Sequence, residues 1–336
     1  MANFRTNLAA IDLGTNSCRI RITDNKGNII YRNAETVKLG EGMDADMRFT
    51  EEAISRGLNY FDECAKNMNK YNVGQYRAIT TASCRMAKNG AEFVEMVKQR
   101  TGIELDIVSA YEEAVLNLRG ALLNVKDNSK YIVVYDLGGG STEITLAKIT
   151  NPPKIIHTIS VPWGARNASE HFGLVEYNEL NAEKLRNEIK TYVQKFITDA
   201  DYFKYAEDSV CISTSSTPLR LVSMINNEKE YEQTKADGIS APVEKFDEQI
   251  AKIKKMTFKE MSEHPCISEK RASIFVAAGI IFKTIYDELK IKNITASLKG
   301  AQDAIIEDLM RNGGKTWQIN GISQTNSRPK NTDRSR

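Results

Sequence analysis

The chain has 336 residues, 41% of them hydrophobic and 27% charged, which excludes a collagen-like, mucin-like or wholly disordered polymer. Lys and Arg number 46 against 44 Asp and Glu, a balance of +2, so the total charge carries no polyelectrolyte footprint of nucleic-acid binding. At roughly 100–200 residues per domain, the length predicts two domains.

Leu8–Ile11 is a short apolar run ending at Asp12, followed by the turn Leu13-Gly14-Thr15-Asn16-Ser17. Cys18–Thr23 alternates with the period of a strand, and Asn25-Lys26-Gly27-Asn28 reads as a hairpin turn into Ile29–Arg32. Glu51–Asn69 carries Ile54, Leu58, Phe61 and Ala65 at helical spacing. Tyr76–Thr80 predicts a strand leading into Thr81-Ala82-Ser83-Cys84-Arg85. Gly90–Arg100 reads as helix, Leu105–Val108 as extended chain, and a further helix begins at Ser109. Tyr131–Tyr135 is β-branched and aromatic; Asp136-Leu137-Gly138-Gly139-Gly140-Ser141-Thr142 and the strand Glu143–Ala147 follow. Beyond Asn151-Pro152-Pro153, Lys154–Val161 is extended and Asn178–Asp201 is one long helix. Ser209–Ser213 is a strand, Glu269–Lys290 a helix, Ile294–Ser297 a strand and Ala301–Met310 a closing helix. Strands alternating with helices predict an α/β architecture.

The opening pattern occurs twice. D-L-G-T-N-S from Asp12 matches D-L-G-G-G-S from Asp136, 124 residues on, each turn set between strands. Two copies at a domain-sized interval predict two related domains facing one another across a cleft. The expected division is 1–128, 129–312 and a tail 313–336, with the last helix, about 300–312, packing back on the first domain. The tail holds five basic residues and one acid, which leaves −2 for the rest. Its Gly, Ser, Asn and Gln content predicts disorder. Five cysteines form no CxxC pair, and His157, His171 and His264 lie far apart, so free thiols and no zinc site are expected. The apolar run after Leu8 meets Asp12 within four residues, unlike a secretory segment. No stretch approaches the roughly 18 apolar residues of a membrane span. The expectation is a cytoplasmic protein with neither membrane nor specific nucleic acid as partner.

A glycine-containing turn after a buried strand can aim several backbone N–H groups at one anion. Gly138, Gly139 and Gly140 with the hydroxyls of Ser141 and Thr142 make one such cradle; Gly14 with Thr15, Asn16 and Ser17 makes a second. Tight hairpins are the plainer explanation of one turn, and a ligand with at least two phosphates better explains the pair. Asp12, Asp136 and Glu143 border the turns, and carboxylates beside phosphate require a hard cation between them, with Mg²⁺ the expectation. Ser109 to Glu112 fits an S-x-x-E capping box, which leaves Glu113 without a structural task; from composition alone it reads as a solvated acid. The stripe Tyr111, Val115, Leu118 and Leu122 puts Glu113 on the opposite helix face. Arg85 can grip phosphate with its fork of donors or serve as an ordinary surface arginine. Asn312–Thr316 imitates the end of a P-loop but lacks the first glycine and a preceding strand.

These residues resemble the Ppx/GppA (exopolyphosphatase and guanosine pentaphosphate phosphohydrolase) family, in its short two-domain form. The resemblance rests on I-D-L-G-T-N-S-C-R-I from Ile11, T-T-A-S-C-R-M-A-K-N from Thr80, E-E-A-V-L from Glu112 and D-L-G-G-G-S-T-E from Asp136. It implies two ribonuclease-H-like domains of the actin-like ATPase superfamily flanking a cleft, and release of orthophosphate from the ends of inorganic polyphosphate or guanosine pentaphosphate. Glu113 is then the catalytic acid that activates water. Asp136 and Glu143, with Asp12, hold Mg²⁺ or Mn²⁺, and the two turns and Arg85 hold phosphate. A homodimer is compatible with the resemblance. The run Ser213-Thr214-Ser215-Ser216-Thr217-Pro218 lacks the family's usual glycines, and Gly164-Ala165-Arg166-Asn167 has its arginine displaced by one place. Two alternatives stand beside this: an ATPase or kinase of the same superfamily, and a weakly catalytic polyphosphate- or nucleotide-binding regulatory module, for which Lys252, Lys254, Lys255 and Lys259 would give a basic surface.

Overall fold

The computed structural model describes residues 6–15, 17–41, 47–126 and 128–317. The chain divides into two units. Unit 1 runs to Ala110 and resumes at Ile305, and unit 2 is Tyr111–Ala304.

Unit 1 opens with β1 (Asn7–Leu13), β2 (Cys18–Thr23) and β3 (Ile29–Glu35). It continues through α1 (Glu51–Lys70), β4 (Val73–Thr80), α2 (Ala82–Met86), α3 (Gly90–Thr101) and β5 (Leu105–Ile107). β1 is buried from Leu8 to Ile11 because it lies inside the sheet, antiparallel to β2 and parallel to β4. β3 pairs antiparallel with β2, and β5 runs parallel to β4. The Thr50 hydroxyl caps α1 by accepting the Ala53 N–H at 3.2 Å, so the helix begins where a side chain satisfies an otherwise orphaned donor. Its apolar face, with Leu58, Phe61, Cys64 and Met68, packs on the sheet.

Unit 2 repeats this grammar. It contains α4 (Ala110–Leu122, from its second residue), β6 (Tyr131–Leu137), β7 (Thr142–Lys148), β8 (Lys154–Val161), α5 (Ala165–Phe172) and α6 (Glu179–Ala200). Then come β9 (Ser209–Thr214), α7 (Ser216–Ile225), α8 (Gln233–Ala236), β10 (Ser240–Pro242), α9 (Val243–Ile253), α10 (Phe258–Glu263), α11 (Glu269–Glu288) and β11 (Asn293–Ser297). β6 is antiparallel to β7 and β7 to β8, while β6 is parallel to β9 and β9 to β11. Strand for strand, this is the arrangement of β1 through β5. The predicted α/β class with an internal repeat is therefore the observed architecture: two mixed sheets of one topology.

α11 is apolar on all sides, from Ile274 and Phe275 to Ile285 and Tyr286, because it is enclosed in the core against α5 and α6. Phe282 meets Tyr135, Phe246 and Tyr286 at centroid distances of 5.5, 5.2 and 5.4 Å; such pairs add about 0.5–1.5 kcal/mol each beyond burial.

The expected boundary at 128/129 moves to 110/111. α4 goes with unit 2 because Leu118 and Ala121 share a core with Ile132, Val134, Ala147 and Ile212. α12 (Ala301–Asn312) crosses the division at Ile305. The expected disordered tail is also corrected at its start. Lys315–Thr316 form β12, antiparallel to β4. Trp317 is buried edge-on to Tyr76 at 5.7 Å, and its indole N–H donates to Asn69 Oδ1 at 2.9 Å. The tail from residue 318 lies outside the described residues. The five cysteines are free and buried. No helix among the described residues is long and apolar enough to cross a membrane.

Candidate functional site

The two turns close in the same way. Gly14 N–H donates to Ser17 O at 2.9 Å, and Gly138 N–H donates to Ser141 O at 2.9 Å. Each turn joins the central strand of its unit to the antiparallel neighbour. The strands on either side differ in charge. Asp12 faces Arg19 across β1 and β2, with the guanidinium 4.0 Å away. At the matching positions of unit 2, Asp136 faces Glu143. The same register thus yields a charge-balanced pair in unit 1 and two facing carboxylates in unit 2. Arg19 thus gives Asp12 a positive neighbour at the outer limit of an ion pair.

Glu143 is held firmly. Its Oε1 accepts the Ser141 hydroxyl at 2.7 Å and the Ser160 hydroxyl at 2.9 Å, Ser160 lying directly opposite on β8. The residue is open to solvent, yet its carboxyl is crowded by protein. Burial first, then the Asp136 carboxylate, push it above the usual glutamate range, with Glu113 adding to the rise against the pull of the two hydroxyls. That influence brings Glu113, on the first turn of α4, into the electrostatic neighbourhood of Glu143. Asp136 and Glu143 thus face one another across β6 and β7, with Glu113 within electrostatic reach of Glu143. Among the described residues, no group of three or more His, Cys, Asp or Glu side chains is disposed to enclose an ion by itself.

α4 is held against unit 2 by close backbone approach. A Cβ on Gly120 would lie 2.1 Å from Gly300 O, and one turn earlier Asn117 Oδ1 accepts the Ala301 N–H at 3.1 Å. The predicted stripe is corrected at one end. Tyr111 is 64% exposed, and the buried side runs through Leu118 and Ala121.

The Gly138–Ser141 turn rests on the start of α5. Ala165 N–H donates to Gly138 O at 2.9 Å, and the Arg166 and Asn167 N–H groups donate to Gly139 O at 2.8 and 3.2 Å. The N–H groups of Gly139, Gly140 and Ser141 have no partner among the described residues, as an anion cradle requires. Two hydroxyl assignments are corrected. Thr142 is buried and its Oγ1 donates to Trp163 O at 2.8 Å, and the Ser141 hydroxyl is spent on Glu143; both donors are occupied inside the protein. Ser141 keeps only its backbone N–H for a ligand.

In unit 1, Thr15 O accepts the Gly40 N–H at 3.0 Å, and Asn16 lies outside the described residues. Arg85, on α2, is half-buried and donates to Val108 O at 2.7 Å; this fixes the guanidinium at the C-terminal end of the unit 1 sheet. Lys315 of the P-loop-like run is paired with Asp106 at 2.7 Å.

Sequence reasoning missed three contributors. Ser160 was hidden because only strand register puts it opposite Glu143. Asn167 donates through Nδ2 to Gly140 O and Pro162 O, both at 2.9 Å. Arg166 is exposed beside the Gly139 backbone, and its guanidinium has no partner among the described residues. The signal for the last two was a glycine, an arginine and an asparagine at the end of the strand after the glycine turn.

The chain matches the Ppx/GppA phosphatase family over residues 20–312. It is 29% identical over 290 residues to a bifunctional 3-dehydroquinate synthase/phosphatase of Fusobacterium nucleatum, covering 83% of this chain and 43% of that protein. It is 35% identical over 155 residues to exopolyphosphatase 2 of Mycobacterium tuberculosis, 43% of this chain and 49% of that one. With a guanosine-5'-triphosphate,3'-diphosphate pyrophosphatase of Pseudoalteromonas atlantica it shares 28% identity over 221 residues, 65% and 42% of the two chains. These matches span less than half the length of each relative. Among solved structures, an Aquifex aeolicus Ppx/GppA family member superimposes with a TM-score of 0.76 at 21% identity, over 92% of this chain and 99% of that one. An exopolyphosphatase from Cytophaga hutchinsonii does so with 0.75 at 20% identity, over 92% and 99%. Both likenesses concern the fold.

Proposed function

The chain belongs to the Ppx/GppA phosphatase family, and from that membership we propose that it hydrolyses terminal phosphoanhydride bonds of inorganic polyphosphate or guanosine pentaphosphate, releasing orthophosphate. The observation that carries the reading is the facing pair Asp136 and Glu143 beside a turn whose Gly139, Gly140 and Ser141 N–H groups are unengaged among the described residues, with Glu113 within electrostatic reach of Glu143. Two facing carboxylates beside a phosphate cradle suit a divalent ion between them and the substrate.

Asp136 and Glu143 suit such an ion. They are hard oxygen donors on facing positions, and Mg²⁺ is typically bound by one or two carboxylates together with substrate phosphates. When bound, Mg²⁺ or Mn²⁺ neutralises charge on the transferring phosphoryl group. The Glu143 Oε1 is anchored by Ser141 and Ser160, which fixes the carboxylate in place. The turn N–H groups receive the equatorial oxygens of the terminal phosphate and stabilise the charge that builds there. Arg166 adds a cation on the Gly139 side. Glu113 orients and deprotonates the attacking water. Within unit 1, Gly14, Thr15, Ser17 and Arg85 are proposed as phosphate donors in their own right.

Phosphate release with Mg²⁺ or Mn²⁺ from polyphosphates of several lengths, guanosine pentaphosphate and ATP tests this. Glu113→Gln should retain substrate binding and lose about 10²-fold or more in kcat, the usual worth of a general base. Equal turnover by wild type and variant removes Glu113 from the mechanism. Binding without release in both points to a regulatory module instead.

A further inference from the structure

We propose that Asn167 is a positioning residue that sets the aim of the phosphate-binding amides; the proposal rests on the reading of the Gly138–Ser141 turn as an anion cradle. A trans peptide is planar, with its C=O and the following N–H pointing in opposite directions. Fixing the carbonyls of Gly138, Gly139 and Gly140 therefore fixes the N–H groups of Gly139, Gly140 and Ser141 on the other side. All three carbonyls are held from α5. Gly138 O accepts from Ala165 N–H, and Gly139 O from the Arg166 and Asn167 N–H groups. Gly140 O accepts from Asn167 Nδ2 at 2.9 Å.

The first two restraints are backbone and survive any side-chain change. The third is a single side chain, so the Gly140–Ser141 peptide depends on Asn167. That side chain is itself fixed at two other points. Its Oδ1 accepts the Gly164 N–H at 2.8 Å, and Nδ2 also donates to Pro162 O at 2.9 Å. Gly164 permits the arrangement: a Cβ there would stand 2.6 Å from Gly138 O, Gly139 C and Gly140 N. α5 in turn is tied to the core by the Ser169 hydroxyl, which donates to Ser273 O at 2.5 Å. The Ser141 N–H aimed by this latch belongs to the same residue as the hydroxyl that anchors Glu143, so one asparagine couples the anion donors to the carboxylate.

Asn167→Asp and Asn167→Ala separate this role from plain helix capping. Aspartate still accepts the Gly164 N–H but donates to neither carbonyl; alanine does neither and adds no charge. The readouts are kcat/KM for polyphosphate with Mg²⁺, the thermal midpoint, and the Ser141 amide resonance during titration with tripolyphosphate. Both variants should lose about tenfold or more in kcat/KM, the effect of a misaimed donor, with midpoints close to wild type and the Ser141 response gone. Wild-type behaviour in Asn167→Asp alone means capping is the whole role, and in Asn167→Ala alone means added charge was the cause; either overturns the proposal, as does a midpoint drop large enough to explain the lost activity. The amide titration decides even if wild type releases no phosphate from any substrate, an outcome that sinks the proposed hydrolysis separately. A Ser141 amide that responds equally in wild type and variants, or in none of them, overturns the positioning role.

Discussion

Glu143 joins a structural and a chemical claim through its raised pKa. A carboxyl whose folded pKa lies above its unfolded one binds a proton more readily in the folded state. The stability this contributes is present below the ordinary glutamate value of roughly 4.3 and is lost as pH rises through the folded value. Glu143→Gln should therefore raise the thermal midpoint at neutral pH in chelator, and the gap should close in acid. Mg²⁺ should stabilise wild type and leave the variant unmoved. A variant that melts below wild type at neutral pH in chelator contradicts the assignment. Ser215 presents a second strain at this scale. Its φ of 95° and ψ of 176° belong to a region suited to glycine, at roughly 1–3 kcal/mol for any other residue. Glycine's extra unfolded entropy is smaller, about 0.5–1 kcal/mol, so Ser215→Gly should stabilise the protein by about 1 kcal/mol in denaturant titration. The sequence exposed the acids and the glycines because their chemistry is intrinsic to residue type. It misjudged Ser141 and Thr142 because a hydroxyl's availability depends on which carboxylate or carbonyl the fold sets beside it.

At the level of elements, the strands flanking the two turns were legible from alternation and β-branching, and the helix from Glu51 from its apolar stripe. α5, α7 and α10 escaped reading because they are short, whereas α9 went unread although Val243, Phe246, Ile250 and Ile253 recur at helical spacing. The domain boundary was misplaced for a related reason. The polar break near residues 125–129 is visible in sequence, whereas the packing of α4 onto Ile132, Val134 and Ala147 is not. That docking is tightest at Gly120. Replacing a helical glycine by alanine normally stabilises by about 1 kcal/mol, but here the new Cβ would overlap the Gly300 carbonyl, with its oxygen 2.1 Å away, a clash of backbone that cannot rotate aside. Gly120→Ala should be net destabilising by about 1–3 kcal/mol, and it should depress phosphate release further by shifting the helix that carries Glu113. Unchanged melting would mean that α4 sits differently against residues 298–301.

Across the whole chain, a 124-residue repeat in sequence corresponds to two sheets with matching strand order and matching turn hydrogen bonds. Opposite the matching aspartates the copies carry opposite charges, Arg19 in the first and Glu143 in the second, so one scaffold presents a different charge pattern in each half. The two indoles are divided as well. Trp317 lies in unit 1 against Tyr76, whereas Trp163 lies in unit 2, its carbonyl accepting from Thr142 at the rim of the glycine turn. The molecule thereby carries one intrinsic fluorophore per half. Adding polyphosphate should shift the emission of Trp317→Phe, in which only Trp163 reports. The second half could then be followed optically during turnover, with no dye attached.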